Sequence, residues 1–142
     1  MSLKSPIVIV DDDADDRGLI KDAFLENNSD NNFVMLENGD QLIEFLKSLT
    51  DSEFPSLILL DLNMPGKDGR EALEEIKKDV RLHQIPIIVF STSSLDKDRI
   101  FSYQLGANCF LTKPSSYQEM IYQTDAIVKL WGSSNTTLLL QK

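Results

Sequence analysis

The sequence predicts an α/β domain: a doubly wound, parallel sheet of five strands with five helices covering both faces. Three observations carry this. Short unbroken apolar runs occur at Ile7–Val10, Leu57–Leu60 and Ile85–Phe90, as in strands buried on both faces. Segments with helical spacing alternate with them, and no longer repeat or low-complexity stretch interrupts the alternation. Start and stop signals fall where that alternation needs them.

In chain order, Ile7–Val10 is the first strand, and Leu19, Ile20, Ala23 and Phe24 form the stripe of the first helix. Phe33–Leu36 is a weaker strand nearer an edge, followed by a stripe of Leu42, Ile43, Leu46 and Leu49. Leu57–Leu60 leads to the third helix, with Ala72, Leu73, Ile76 and Val80 and a capping-box spacing of Asp68 and Glu71. Ile85–Phe90 precedes a shorter stripe of Ile100, Phe101 and Leu105, and Gly106 sits where that helix would stop. Asn108–Leu111 is the second edge strand. The fifth helix carries Met120, Ile121, Thr124, Ile127, Val128 and Trp131, and Ser116 with Glu119 marks its start. Residues 4–131 are thus expected to form one domain, and residues 132–142 a tail whose Leu138–Leu140 triplet has no assigned place.

Composition narrows the function. The chain has 142 residues and a 42% hydrophobic share, enough for one domain with a real core. With 14 basic and 23 acidic residues its net charge is −9, which would repel a nucleic acid. A single cysteine, Cys109, and a single histidine, His83, exclude an internal disulfide and speak against a zinc site. No apolar run approaches the roughly 20 residues of a membrane span, and Ile7–Val10 is too short for a signal peptide. A soluble cytoplasmic protein is expected.

In an open parallel sheet, ligands bind at the carboxyl ends of the strands. The first strand delivers Asp11, Asp12 and Asp13 there, the third Asp61, the fourth Ser91 and Thr92, and the fifth Thr112, Lys113 and Pro114. Asp13, Asp15 and Asp16 are read as helix-start acids, capping and facing the dipole. Asp11, Asp12 and Asp61 would stand close together and repel one another unless a cation lay among them. Few ligands, all oxygen, suit Mg²⁺. Three carboxylates, a divalent cation and the Lys113 ammonium balance to near zero. Phosphorylating Asp61 would upset that balance, and the Ser91 hydroxyl could donate to a phosphoryl oxygen.

These residues resemble the receiver domain of response regulators, from about Pro6 to Trp131. The matching pieces are Ile-Val-Ile-Val-Asp-Asp at 7–12, Leu-Leu-Asp-Leu-Asn-Met-Pro-Gly at 59–66, Ser91, and Gly-Ala-Asn-Cys-Phe-Leu-Thr-Lys-Pro at 106–114. Residues 61–71 and 80–86 look closest to single-domain regulators paired with phytochrome kinases. The resemblance implies a flavodoxin-like fold with strand order 2-1-3-4-5. It implies that Asp61 accepts a phosphoryl group from a phosphohistidine of a sensor histidine kinase, so the protein would not be an enzyme in the turnover sense. Mg²⁺ would be bound by the side chains of Asp12 and Asp61, by Asn63 through its backbone carbonyl, and by Asp11 through water. Ser91 would be the switch hydroxyl, Phe110 the switch aromatic, and Lys113 the basic partner of the phosphoryl group. It also implies a cis Lys113–Pro114 bond, which would turn the chain sharply and aim Lys113 back at Asp61, and a homodimer through the face of the fourth helix, fifth strand and fifth helix. On phosphorylation the Phe110 ring would rotate inward into space vacated by Ser91. Four positions depart from the family pattern: Ser91 for Thr, Phe110 for Tyr, Thr92 for a small residue, and Ser115 for an aromatic.

Rival readings fit less of the chain. Asp11-Asp12-Asp13 has the Asp-x-Asp form of a haloacid-dehalogenase-type phosphatase. That reading puts Asp15 where Thr or Val is usual and leaves residues 61–66 unexplained. A flavodoxin-type cofactor site would need a first loop that cradles phosphate, and five aspartates there repel it. A calcium loop from Asp11 lacks the glycine at its sixth position, where Asp16 stands.

Overall fold

The computed structural model describes residues 5–27, 31–64 and 68–131. Five parallel strands form one sheet in the order β2-β1-β3-β4-β5. They are β1 Ile7–Val10, β2 Phe33–Leu36, β3 Leu57–Leu60, β4 Ile87–Ser91 and β5 Cys109–Thr112. The helices are α1 Ala14–Glu26, α2 Gly39–Lys47, α3 Gly69–Lys78, α4 Asp96–Gln104 and α5 Tyr117–Trp131, with a 3₁₀ turn at Asp51–Glu53.

Alternation along each strand sends side chains to opposite faces. Val8, Val10, Ile58, Leu60, Ile87 and Val89 pack with Leu42, Leu46, Leu73 and Ile76 of α2 and α3. Ile7, Ile9, Leu57, Leu59, Ile88 and Phe90 pack with Ile20, Phe24, Met120 and Ile127 of α1 and α5. This two-layer burial explains the unbroken apolar runs of the inner strands.

Several boundaries depart from the sequence pattern, each for a local reason. β4 starts two residues later than expected, because Ile85 closes a turn onto Leu82 and Pro86 has no N–H to give the ladder. β5 is likewise displaced by one residue, the Asn108 side chain accepting from the Ile87 N–H instead. Asp79 ends α3 by accepting from the N–H groups of Arg81 and Leu82, which leaves Val80 92% exposed rather than buried. Gly106, at φ 105, stops the chain after α4 as expected.

α4 differs most. Two of its three expected stripe residues turn from the core, Ile100 at 52% and Phe101 at 37% exposed, while Leu105, just past the helix, packs against it. The residues it buries are Asp98 and Ser102, so polar anchors take the place of apolar ones. Lys113–Pro114 is trans, there being no cis bond among the described residues. The tail 132–142 and Pro65, Gly66 and Lys67 of the third-strand motif lie outside the described residues.

Candidate functional site

The site forms where β1, β3, β4 and β5 end. Register brings Val10 beside Leu60, so Asp11 and Asp61 emerge from adjacent strands at one level. Carboxylate oxygens of Asp11, Asp12 and Asp61 all lie within 4.8 Å of one another. Asp11 and Asp61 are buried while Asp12 is exposed, so the cluster opens to solvent on one side. Oxygen donors at this spacing, open on one flank, fit a hard divalent ion that keeps part of its water shell.

α3 closes in on this rim. Asp68 caps it by accepting from the Glu71 N–H, and the Gly69 N–H donates to the Leu62 carbonyl. A Cβ on Gly69 would stand 2.0 Å from the Asp61 carbonyl oxygen. Only a residue without a side chain lets the helix approach the strand end this closely.

Lys113 lies opposite. Its Nζ is 2.5 Å from Asp11 Oδ2, 3.2 Å from Asp16 Oδ2 and 3.7 Å from Asp61 Oδ2. Ladder geometry sets its place, because the Lys113 N–H donates to the Ser91 carbonyl. The trans bond after it therefore does not keep the ammonium from the acids, contrary to what the sequence suggested. Burial opposes the charged ammonium, but the Asp11 hydrogen bond and the Asp61 charge outweigh it and raise its pKa.

Asp61 is pushed up to about 6, first by burial and then by the charges of Asp11 and Asp12, against the lowering pull of Lys113 and the Asn63 N–H. The carboxylate is thus short of positive charge, a deficit that a divalent cation would remove.

The remaining expected residues surround this centre. Ser91 is fully buried at the end of β4, and its Oγ accepts from the Ser93 N–H at 3.2 Å. Asn63 is exposed and its N–H donates to Asp61 Oδ1 at 3.3 Å. Thr92 is exposed and lines a cleft of about 340 Å³ with Asp16, Leu19, Lys113 and Tyr117. Phe110 already lies in the α2–α3 core, 9% exposed, so an inward rotation of its ring is not the motion left to this site.

Sequence reasoning missed three participants. Asp13 does cap α1, as expected, but Asp16 turns to Lys113 rather than serving the helix dipole alone. Arg17, one helical turn from Asp13, donates to the Asp11 carbonyl. Arg70 donates to Asn63 Oδ1 at 3.4 Å and to Asp98 Oδ1 at 2.9 Å. No local pattern announces the Arg70–Asp98 pair, whose members are 28 residues apart.

The model of the response regulator receiver domain family matches residues 7–125. The chain belongs to this family. This receiver domain is 37% identical over 128 residues to response regulator Rcp1 of Synechocystis sp., covering 88% of this chain and 87% of Rcp1. Its fold matches a crystal structure of Rcp1 in its Mn²⁺-bound form at TM-score 0.80 and 36% identity, over 91% of this chain and 95% of the other. It also matches the phosphorylated cyanobacterial phytochrome response regulator RcpA at TM-score 0.83 and 36% identity, over 94% and 96%. The receiver domain is thus a component of two-component signalling. Nothing in these matches favours the phosphatase reading. Among the described residues no helix is long and apolar enough to cross a membrane.

Proposed function

We propose that residues 4–131 form a phosphoacceptor module whose acceptor is Asp61, with a sensor histidine kinase as donor. One observation carries this: the Asp61 carboxylate sits beside two other acids and 3.7 Å from a lysine, at a rim open on one flank. An Asp61 oxygen attacks phosphorus, the N–P bond of the phosphohistidine breaks, and the imidazole keeps the electron pair. The acceptor must be ionised to attack; with its pKa near 6 it is mostly so at neutral pH.

Asp11, Asp12 and Asp61, with the Asn63 carbonyl, would hold Mg²⁺, which supplies charge neutralisation between acceptor and phosphoryl oxygens. Lys113 offers a second cation, and Ser91 a hydroxyl that can donate while still accepting from Ser93. Thr92, exposed at the rim, limits the access of water to the acyl phosphate. Asp61 ends each cycle unchanged only after hydrolysis, so the module is a signal carrier rather than an enzyme.

The name of RcpA supports a phytochrome-type kinase as the donor, and a cytoplasmic location follows from that partnership. Output leaves through protein contacts at the face of α4, β5 and α5, with a second copy as the first partner to test. Leu95, Ile100, Phe101 and Tyr103 are exposed on or beside α4. Phe110 serves there as a fixed aromatic beneath the face.

Acetyl phosphate with Mg²⁺ is expected to add one phosphoryl mass, labile to hydroxylamine, in wild type and not in Asp61→Ala. Full labelling of Asp61→Ala would overturn the assignment. Sedimentation with and without beryllofluoride, an acyl-phosphate mimic, tests the second copy; unchanged association would remove it.

A further inference from the structure

α1, α2, α3 and α5 each bury an apolar stripe, whereas α4 buries a carboxylate and a hydroxyl. Its docking therefore depends on where those polar groups find partners, together with Tyr103, whose hydroxyl accepts from the Phe110 N–H of β5 at 3.0 Å. Ser102 is satisfied within the helix, its Oγ donating to the Asp98 carbonyl at 2.8 Å. Asp98 looks outward in two directions. One oxygen accepts from the Ser93 hydroxyl at 2.5 Å, and the other from Arg70 Nη2 at 2.9 Å. Arg70 belongs to α3 and Ser93 to the segment between β4 and α4.

The two partners differ in how they are tied. Ser93 lies five residues from Asp98, and its Oγ also accepts from the N–H of Leu95, the residue that opens α4. These side-chain bonds make it follow the start of the helix, while its carbonyl accepts from Thr112 Oγ1 of β5 at 3.4 Å. Arg70 is fixed to the other side, reaching Asn63 Oδ1 at 3.4 Å and Asp68 at 3.9 Å. The same Ser93 donates its N–H to Ser91 Oγ. An unbroken polar path thus runs from Ser91 through Ser93 and Asp98 to Arg70, and ends on Asn63, two residues past Asp61.

We propose that the Arg70–Asp98 ion pair is a latch that holds α4 against α3 and opens when Asp61 is phosphorylated; this rests on the phosphoacceptor reading above. When Ser91 turns its hydroxyl toward a phosphoryl oxygen, Ser93 is drawn with it through their hydrogen bond. Asp98 then cannot keep both partners. The Ser93 contact is short and local, and moves with α4; the Arg70 contact spans two helices and is the one that parts. Arg70 is accordingly a positioning residue, which sets how far phosphorylation shifts α4 between two docked positions. A pocket of about 740 Å³ beside the pair, lined by Asn63, Arg70, Leu95, Asp98 and Phe101, gives the helix room to move.

The test uses the full chain with Mg²⁺ as wild type, Arg70→Met, Arg70→Lys and Asp98→Asn. Two quantities are read: amide exchange across α4 without any acyl-phosphate mimic, and the beryllofluoride concentration that half-saturates the NMR shifts of Ser91 and Phe110. Arg70→Met is expected to speed α4 exchange about fivefold while α5 is unchanged, and to lower the half-saturating concentration about fivefold. Those factors are the size of one partly buried ion pair. Arg70→Lys should fall between, because it keeps the charge and loses the fork. Asp98→Asn, the second variant should Arg70→Met not fold, is expected to move both quantities in the same direction. Unchanged α4 exchange, or an unchanged or higher half-saturating concentration in both charge-removing variants, overturns the latch. A wild type whose Ser91 shifts ignore beryllofluoride overturns the phosphoacceptor reading and the coupling with it, whereas a responsive wild type with unmoved variants overturns the latch alone.

Discussion

Replacing Asp61 by Asn is expected to stabilise the metal-free protein at neutral pH, although it destroys the phosphoacceptor. Burial, with Asp11 and Asp12 alongside, holds the Asp61 carboxyl up to about 6, against a reference near 3.9 for an unfolded chain. The folded state therefore keeps this proton to higher pH than the unfolded state does. Between about pH 4 and pH 6 stability falls as pH rises, and above pH 6 the full penalty persists. Two pKa units correspond to at most about 3 kcal/mol at 1.36 kcal/mol per unit. Water at the open flank screens part of this, so about 1–2 kcal/mol is expected. Asn is nearly isosteric and carries no charge, and Lys113 keeps Asp11 and Asp16 as partners. Urea unfolding in EDTA at pH 7.5 should show Asp61→Asn with a midpoint higher by roughly 0.5–1 M, taking a slope of about 2 kcal/mol per M. The gap should close near pH 4, and should also narrow at pH 7.5 when Mg²⁺ is added, because only the wild type gains that ligand. A variant no more stable than wild type at pH 7.5 in EDTA, or a gap that widens on acidification, would refute the account of the carboxyl's environment.

Three further outcomes follow from the same geometry. Asp12→Ala removes one of three clustered carboxylates, so its Mg²⁺ affinity by NMR titration should drop at least about tenfold; equal affinity would place the ion elsewhere. Gly69→Ala puts a methyl 2.0 Å from the Asp61 carbonyl oxygen, which should cost about 2–3 kcal/mol in urea unfolding and slow labelling by acetyl phosphate. Lys77→Met strips a half-buried ammonium from the His83 and Ile85 carbonyls, 3.0 Å each, and from Asn108 Oδ1 at 3.3 Å. About 1–2 kcal/mol of stability should be lost, with phosphorylation unaffected, since Lys77 lies away from the rim.

What the sequence made legible was what apolar pattern and strand order can encode. Strands β1 and β3 stand where Ile7–Val10 and Leu57–Leu60 predicted them, because both faces of an inner strand demand unbroken apolar runs. Asp11, Asp12 and Asp61 could be brought together in advance, because each follows such a strand directly and parallel pairing aligns their ends. Lys113 was placed on the right rim for the right electrostatic reason, but its reach was attributed to the peptide bond after it. The ladder bond from its own N–H to Ser91 does that work. The mistaken elements share a cause. Val80, Ile100 and Phe101 match helical spacing, yet Asp79 ends one helix early and polar anchors turn another. Such effects depend on side-chain oxygens bonding backbone or distant residues, and apolar periodicity carries no trace of them.

The division between legible and illegible parts has a physical basis that bears on signalling. Burying a leucine-sized side chain contributes about 1.5–3 kcal/mol, so Leu73 and Ile76 on α3, or Ile20 and Phe24 on α1, fix those helices beyond the reach of a change at one carboxylate. A helix held instead by exchangeable polar contacts can move when a single partner is drawn away, because a lost contact can be replaced by water or by another donor at a net cost near 1 kcal/mol. Here that helix is α4: Tyr103 meets the Phe110 N–H of β5, and Asp98 leads to Ser93 and Arg70, which connect in turn to Ser91 and Asn63. The apolar side chains it withholds from the core, Ile100 and Phe101 among them, are the ones a partner protein would meet. A change of charge at Asp61 can thus reach a surface whose attachment is soft, while the sheet and the other four helices keep the acids and the lysine in place.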